Sequence, residues 1–260
     1  FEGNFDELKS MHIDGRLLNG TLRGALKAAR SKDITLSGSF QARGLDPSRI
    51  TPDWPGKINV DFGGTLKWSK KSPMEGLVKA NILNSTIRKR ALTGLFNARW
   101  SKGTLEVARC DLHGNGFDLN ASGILSERLS YHIGISNLSG LMPGFGGRLT
   151  TSGWVRWRKG NLAGVLKGNG TALSASGVTV GAITMDTQLN SNGTDRLFGV
   201  MKLRNLTYGV LKIDSVETKA DGKVSSHNLH CVLKRHANSV QASFTGGYEK
   251  GIWQGTIRQV

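Results

Sequence analysis

The sequence predicts an all-β protein: an elongated, mainly antiparallel sheet with one apolar face, built from internal repeats. Three observations carry the sheet. Apolar and polar residues alternate with a period of two in segment after segment, which sends successive side chains to opposite faces of a strand. With 35 Gly, 5 Pro and 21% charged residues in 260, the composition is that of many short strands joined by turns. Long phrases of the first half return in the second, as in structures that grow along one axis. Alternation alone fits a trough or a closed barrel around one small ligand equally well.

The elements follow in chain order. Phe5 and Leu8, one helical turn apart, are the best helical start. Asn19-Gly20 predicts a tight hairpin turn, since both residues accept positive φ. Ile34, Leu36, Phe40 and Ala42 then share one strand face, with Thr35, Ser37, Ser39 and Gln41 on the other. LDPSRI at 45–50 predicts a single turn opened by Asp46, with Pro47 at its first position. PDWPGKI at 52–58 interrupts the alternation. Proline has no N–H for a ladder, so this segment is expected to cross over the sheet and start a new run. Ile58, Val60, Phe62, Leu66 and Trp68 resume the alternation against Asn59, Asp61, Thr65 and Lys67.

GNG at 114–116 and again at 168–170 predicts two turns, as neither opens a helix after a strand in the manner of a dinucleotide fingerprint. Leu129, Tyr131, Ile133 and Ile135 alternate, and PGFGGRL at 143–149 echoes the earlier break. Asn192-Gly193 and Asp221-Gly222 are further expected turns. Leu229, Cys231 and Leu233, then Val240, Ala242 and Phe244, close the series.

The repeat fixes an expected organisation. Pro52, Trp54, Gly56, Lys57 and Ile58 lie over Pro143, Phe145, Gly147, Arg148 and Leu149 at an offset of 91. Later, Asn84, Thr86, Cys110 and Leu112 lie over Asn205, Thr207, Cys231 and Leu233 at an offset of 121. The offset grows by about thirty residues, room for one extra hairpin. Units are expected at 44–136 and 137–260, with 1–43 ending a preceding unit, in one continuous fragment of a longer protein.

Other chemistries find little footing. The net charge of +16 comes from Lys and Arg spread along many strands, such as Lys57, Lys67, Arg156 and Arg158, with few aromatics among them. A solvated wall with a secondary attraction to anionic headgroups is expected, and no nucleic-acid partner. HNLHCVLKRH holds His227, His230, Cys231 and His236, but alternation puts Cys231 and His230 on opposite faces, so neither metal nor cofactor is expected. There is no G-x-S-x-G elbow and no H-E-x-x-H, and Asp111 and Asp118 sit among turns, so no enzyme is expected. Two cysteines leave a single bridge open. No run of 18 apolar residues is present.

GLDPSRITPDWPGKINVDFGGTL at 44–66, LSYHIGISNLSGLMPGFGGRLTTSGWVRW at 129–157 and the closing ADGKVSSHNLHCVLKRHANSVQASFTGGYEKGIWQGTI resemble the TamB family, of the AsmA-like group related to bridge-like lipid transfer proteins. The resemblance implies a Gram-negative periplasmic protein anchored in the inner membrane by a helix outside this segment. It implies a curved sheet forming a U-shaped apolar groove, a β-taco, whose concave face conducts glycerophospholipids between the inner and outer membranes. A scaffold role in outer-membrane β-barrel assembly, with a BamA-like partner of the TamA type, is the alternative. Phospholipid acyl chains are then expected against Ile34, Leu36, Phe40, Ile58, Val60, Phe62, Leu66, Trp68, Leu119, Leu129, Tyr131, Ile133, Ile135, Leu149, Val155, Leu229, Cys231, Leu233, Val240, Ala242 and Phe244.

Overall fold

The computed structural model describes residues 2–3, 7–30, 32–69, 73–190, 196–249 and 252–259. The protein is all-β and antiparallel, and among the described residues it has no α-helix. Two units divide after Leu129.

The first unit holds β1 (Glu2–Gly3), β2 (Glu7–Leu17), β3 (Gly20–Arg30), β4 (Ile34–Leu45), β5 (Gly56–Trp68), β6 (Glu75–Ile87), β7 (Arg90–Ser101), β8 (Thr104–Gly114) and β9 (Phe117–Ile124). Each pairs antiparallel with the next in sequence. Tight turns make this possible. Leu18-Asn19 takes φ 48° and 64°, Arg88-Lys89 50° and 63°, and Lys102-Gly103 51° and 75°. Positive φ at both central residues gives the turn whose twist matches the flanking strands.

The first turn is thus centred on Leu18-Asn19, one residue before the expected Asn19-Gly20. Asn19 is shared, and Gly20 begins β3 at a position where a Cβ would collide with the Arg43 carbonyl. Leu8 lies in β2 rather than a helix, and Phe5 falls outside the described residues.

A 3-10 turn spans Pro47–Arg49, opened by Asp46 as LDPSRI predicts. The Asp46 carboxylate accepts from Ser48 N–H at 3.1 Å and from Gly56 N–H at 3.3 Å, so one side chain ties the turn to the first residue of β5. This corrects the expected crossing. Residues 46–55 return the chain to β5, the hydrogen-bonded neighbour of β4, without passing over the sheet. The prolines sit in the loop, where no ladder bond is asked of them.

Beyond the loop, bulges kink the neighbouring strands. Two residues of β4, Arg43 and Gly44, face the single Asn59 of β5, and β6 is also out of step between Ile82 and Ser85. Side chains take over the missing ladder bonds. Asn59 Oδ1 accepts from Gly44 N–H at 2.9 Å, Asn59 N–H donates to Ser85 Oγ at 2.9 Å, and Ser85 Oγ donates to the Leu83 carbonyl at 2.8 Å. Bulges bend and twist a sheet locally.

The second unit runs through β10 (Arg128–Ile135, which begins just before the division), β11 (Phe145–Arg158), β12 (Asn161–Ala175), β13 (Val178–Leu189), β14 (Arg196–Tyr208), β15 (Leu211–Lys223), β16 (Ser226–Arg235), β17 (Asn238–Glu249) and β18 (Ile252–Gln259). From β11 onward each again pairs with its successor. A 3-10 turn at Leu138–Gly140 precedes PGFG, and β11 starts at Phe145.

Two expected turns are strands. GNG at 168–170 lies inside β12, while GNG at 114–116 does turn, with Gly116 at φ 88°. Asp221-Gly222 lies inside β15, and the chain reverses at 224–225. In both strands glycine makes room for a neighbour: a Cβ on Gly170 would meet Ile183 and Leu173, and one on Gly222 would meet His227. Asn192-Gly193 lies outside the described residues.

Candidate functional site

Residues directly opposite in a ladder share a face, so registers read strand by strand give the rows of each surface. In the first unit one face carries Leu22, Ala42, Val60, Ile82, Gly94, Leu112 and Leu119 in one row. The next holds Gly24, Phe40, Phe62, Ala80, Phe96, Cys110 and Ala121. Beyond them run Leu26, Gly38, Gly64, Val78, Ala98 and Val107, and then Ala28, Leu36, Leu66, Gly76, Trp100 and Leu105, with Ile34 opposite Trp68. No charged residue stands in these rows. The reverse face reads Asp14, Arg23, Gln41, Asp61, Asn81, Leu95, Asp111 and Asn120.

Glycine has a specific use on the apolar face. Phe40 and Phe62 stack at 5.2 Å, and the Phe40 ring spreads over Gly24 and Gly38, where a Cβ on Gly38 would come within 2.8 Å of it. Flattened rings over glycine leave the surface smooth.

The second unit repeats the division. Leu149, Gly170, Ile183, Leu203, Val216, Leu233 and Val240 form one apolar row. Thr151, Gly168, Met185, Met201, Thr218, Cys231 and Ala242 form the next, and Gly153, Leu166, Thr187, Gly199, Ala220, Leu229, Phe244 and Ile257 a third. The Tyr131 hydroxyl lies 3.1 Å from where a Cβ on Gly153 would sit. A notch of about 190 Å³ is lined there by Tyr131, Val155, Leu162, Leu166 and Leu189. Burial pushes the Tyr131 phenol above its ordinary value.

A last row holds Val155, Gly164, Leu189, Leu197, Gly222, His227, Gly246 and Gly255. Trp253 lies over its glycines: a Cβ on Gly246 would stand 2.6 Å from the indole, and one on Gly255 would overlap it. Its Nε1–H donates to His227 Nε2 at 2.9 Å, which leaves Nδ1 to carry the proton and donate to the Lys223 and Val224 carbonyls, both at 3.1 Å. His227 thus secures the hairpin turn between β15 and β16.

The registers bring Ile34, Leu36, Phe40, Val60, Phe62, Leu66, Trp68 and Leu119 onto one face of the first unit. They do the same in the second for Leu149, Val155, Leu229, Cys231, Leu233, Val240, Ala242 and Phe244. Ile58 sits beside the bulges, opposite Leu45. Leu129, Ile133 and Ile135 lie in β10 with Tyr131, two residues apart as alternation requires. Sequence reasoning missed the contributions of β3, β6–β8 and β12–β15. There Gly, Ser, Lys and Thr interrupt the apolar series, and only ladder partners reveal the face.

The possible metal ligands separate. His227 and Cys231 belong to apolar-face rows, His230 faces the other way with Lys219 and Ser243, and His236 stands exposed at a turn. Cys110 and Cys231 are both free thiols. Burial, then the Asp111 carboxylate, pushes the Cys110 thiol upward, away from reactivity.

Within each unit, nothing among the described residues covers the apolar face with a second layer. The substantial contacts within each unit are between strands consecutive in sequence, or between a 3-10 turn and the strand beside it. No large side chain is fully buried, and Val78, Trp100, Met201 and Val240 are exposed. The chain leaves 16902 Å² accessible. Even two separate compact proteins, each of half the 28.0 kDa mass, would expose only about 13,400 Å² together.

Against known proteins, the family model described as TamB, N-terminal domain, matches residues 1–260. No solved structure matches the chain.

Proposed function

Since the chain belongs to the TamB N-terminal domain family, a family of Gram-negative envelope proteins, we propose that its apolar face shields phospholipid acyl chains on their way between the inner and outer membranes. The observation that supports this reading is the uncovered apolar face itself. A sheet with one greasy side normally buries it against another layer, and here the rows around Phe62 and Met201 have no such layer.

Acyl chains fit what the rows offer. Each methylene drawn from a bilayer into water costs about 0.8 kcal/mol, so a whole chain faces a barrier on the order of 10 kcal/mol. Eight strands at about 4.8 Å spacing carry an apolar row across roughly 34 Å in either unit, enough to replace water along an extended chain. The attraction has no direction, so a tail moves from Phe96 to Phe62 to Phe40 without a deep trap. Proton transfer has no part in this, and the headgroup stays in water. In this reading the protein works in the periplasm, held to the inner membrane by a segment elsewhere in the protein and meeting a TamA-type barrel through another part.

Photo-crosslinking side chains placed at Phe62 and Met201, and separately at Lys67 and Lys219, test the reading in cells. Phospholipid adducts are expected from the first pair and not from the second. Equal labelling from both faces would overturn it. Phe62→Glu together with Leu203→Glu should abolish co-purified phospholipid while the far-ultraviolet circular dichroism of the sheet persists.

A further inference from the structure

On the polar face of the second unit, opposite the apolar rows, β14–β16 surround a cavity of about 380 Å³. Its walls include Lys202, Arg204, Ser215, Glu217, Lys219 and Lys234. We infer that this cavity is a binding site for a phosphate group.

Four cations here meet one carboxylate. Glu217 is shared between Lys219 at 3.1 Å and Lys202 at 3.6 Å. The other carboxylates of these strands are already engaged: Asp214 accepts from the His236 backbone N–H at 2.6 Å, and Asp221 receives the Arg196 guanidinium at 3.0 Å. Arg204 and Lys234 have no carboxylate partner among the described residues.

Register places that unpaired pair well. Arg204, Ser215 and Lys234 are directly opposite one another across three strands, so a hydroxyl stands between two free cations. A guanidinium fork, an ammonium and a hydroxyl together suit a tetrahedral oxyanion with several acceptor oxygens. Glu217 holds Lys202, directly opposite it in the next row, and Lys219, one row further on, and keeps the local excess at three positive charges. A neutral sugar would gain little from such a set, and a carboxylate, with two oxygens and a single charge, would use less of it than a phosphate does.

The inference does not depend on acyl chains occupying the other face. A lipid with its tails on the apolar rows would have its headgroup on the wrong side of the sheet. The phosphate is therefore either free in solution or part of a separate lipid surface that the polar face approaches.

Isothermal titration of inorganic phosphate into the intact protein at fixed ionic strength, with flotation on phosphatidylcholine vesicles with and without phosphatidylglycerol, distinguishes these sources. Saturable phosphate binding is expected, weakened about tenfold or more by Arg204→Gln with Lys234→Gln. It should be unchanged by the charge-matched pair Lys79→Gln with Arg99→Gln in the first unit. Glu217→Gln should act in the opposite direction and tighten binding, because it releases two ammonium groups. Phosphatidylglycerol-dependent flotation lost in the Arg204/Lys234 variant assigns the phosphate to a membrane surface, and phosphate binding without flotation assigns it to solution. Absence of saturable binding in both arms, or equal loss in the charge-matched control, overturns the inference.

Discussion

Ser85 is a small residue with a large structural task. Only 4% exposed, its hydroxyl accepts the Asn59 N–H that a bulge has taken out of the ladder. Ser85→Ala leaves that buried donor without a partner, and the expected loss is about 1–3 kcal/mol in urea unfolding. Ionic residues act nearer the surface. Asp33 and Lys67 pair at 3.0 Å; hydrogen bonding to Lys67 holds the Asp33 carboxyl below its ordinary 3.8, and hydrogen bonding to Asp33 raises Lys67 above its ordinary 10.5. A lowered acid stabilises the fold above its unfolded value and loses that contribution as pH falls through the folded one. A raised base stabilises below its unfolded value and loses it as pH rises through the folded one. Their joint contribution is therefore level between 3.8 and 10.5 and declines outside on both sides. Asp33→Asn should make both flanks shallower at once in urea midpoints measured across pH. Asp46, lowered chiefly by its hydrogen bonds to Ser48, adds only to the acid flank.

At the level of single elements, glycine and aromatic residues are matched pieces. The Trp253 indole fits on Gly246 and Gly255 and hydrogen-bonds His227. Gly255→Val should displace the ring, lower the melting temperature and shift tryptophan emission to the red, whereas Gly15→Ala in β2, where a Cβ meets nothing within 4 Å, should leave all three unchanged. Such matches also explain what sequence could reveal. β5, β16 and β17 announce themselves through clean alternation, and the Asp46 turn through its capping residue. β12 and β15 do not, because Gly168, Gly170 and Gly222 look like turn residues until their cross-strand neighbours are known. Turns at Arg88-Lys89 are equally silent, since nothing local asks two long basic side chains to take positive φ. The face around Val60 and Leu233 was legible from two-residue spacing, while that around Met185, Met201 and Thr218 needed the registers.

Across the molecule, folding withdraws unusually little surface from water. The slope of unfolding free energy against urea follows the area exposed on unfolding. A chain that keeps 16902 Å² accessible when folded should therefore show a shallower slope than a compact protein of 260 residues. Added phospholipid should raise the melting temperature if the apolar rows are occupied, as any ligand of the native state does.

Because the registers from β2 to β9 join strands that are consecutive in the chain, a strand's address within this stretch of the first unit is its ordinal number. Excising residues 90–116 removes β7 and β8 together, so β9 would arrive beside β6 travelling in the direction β7 once had. Removing β7 alone would reverse β8 and β9. Such a unit can be shortened or extended only in even steps, and the width of its ladder is adjusted by counting hairpins rather than by redesigning any of them.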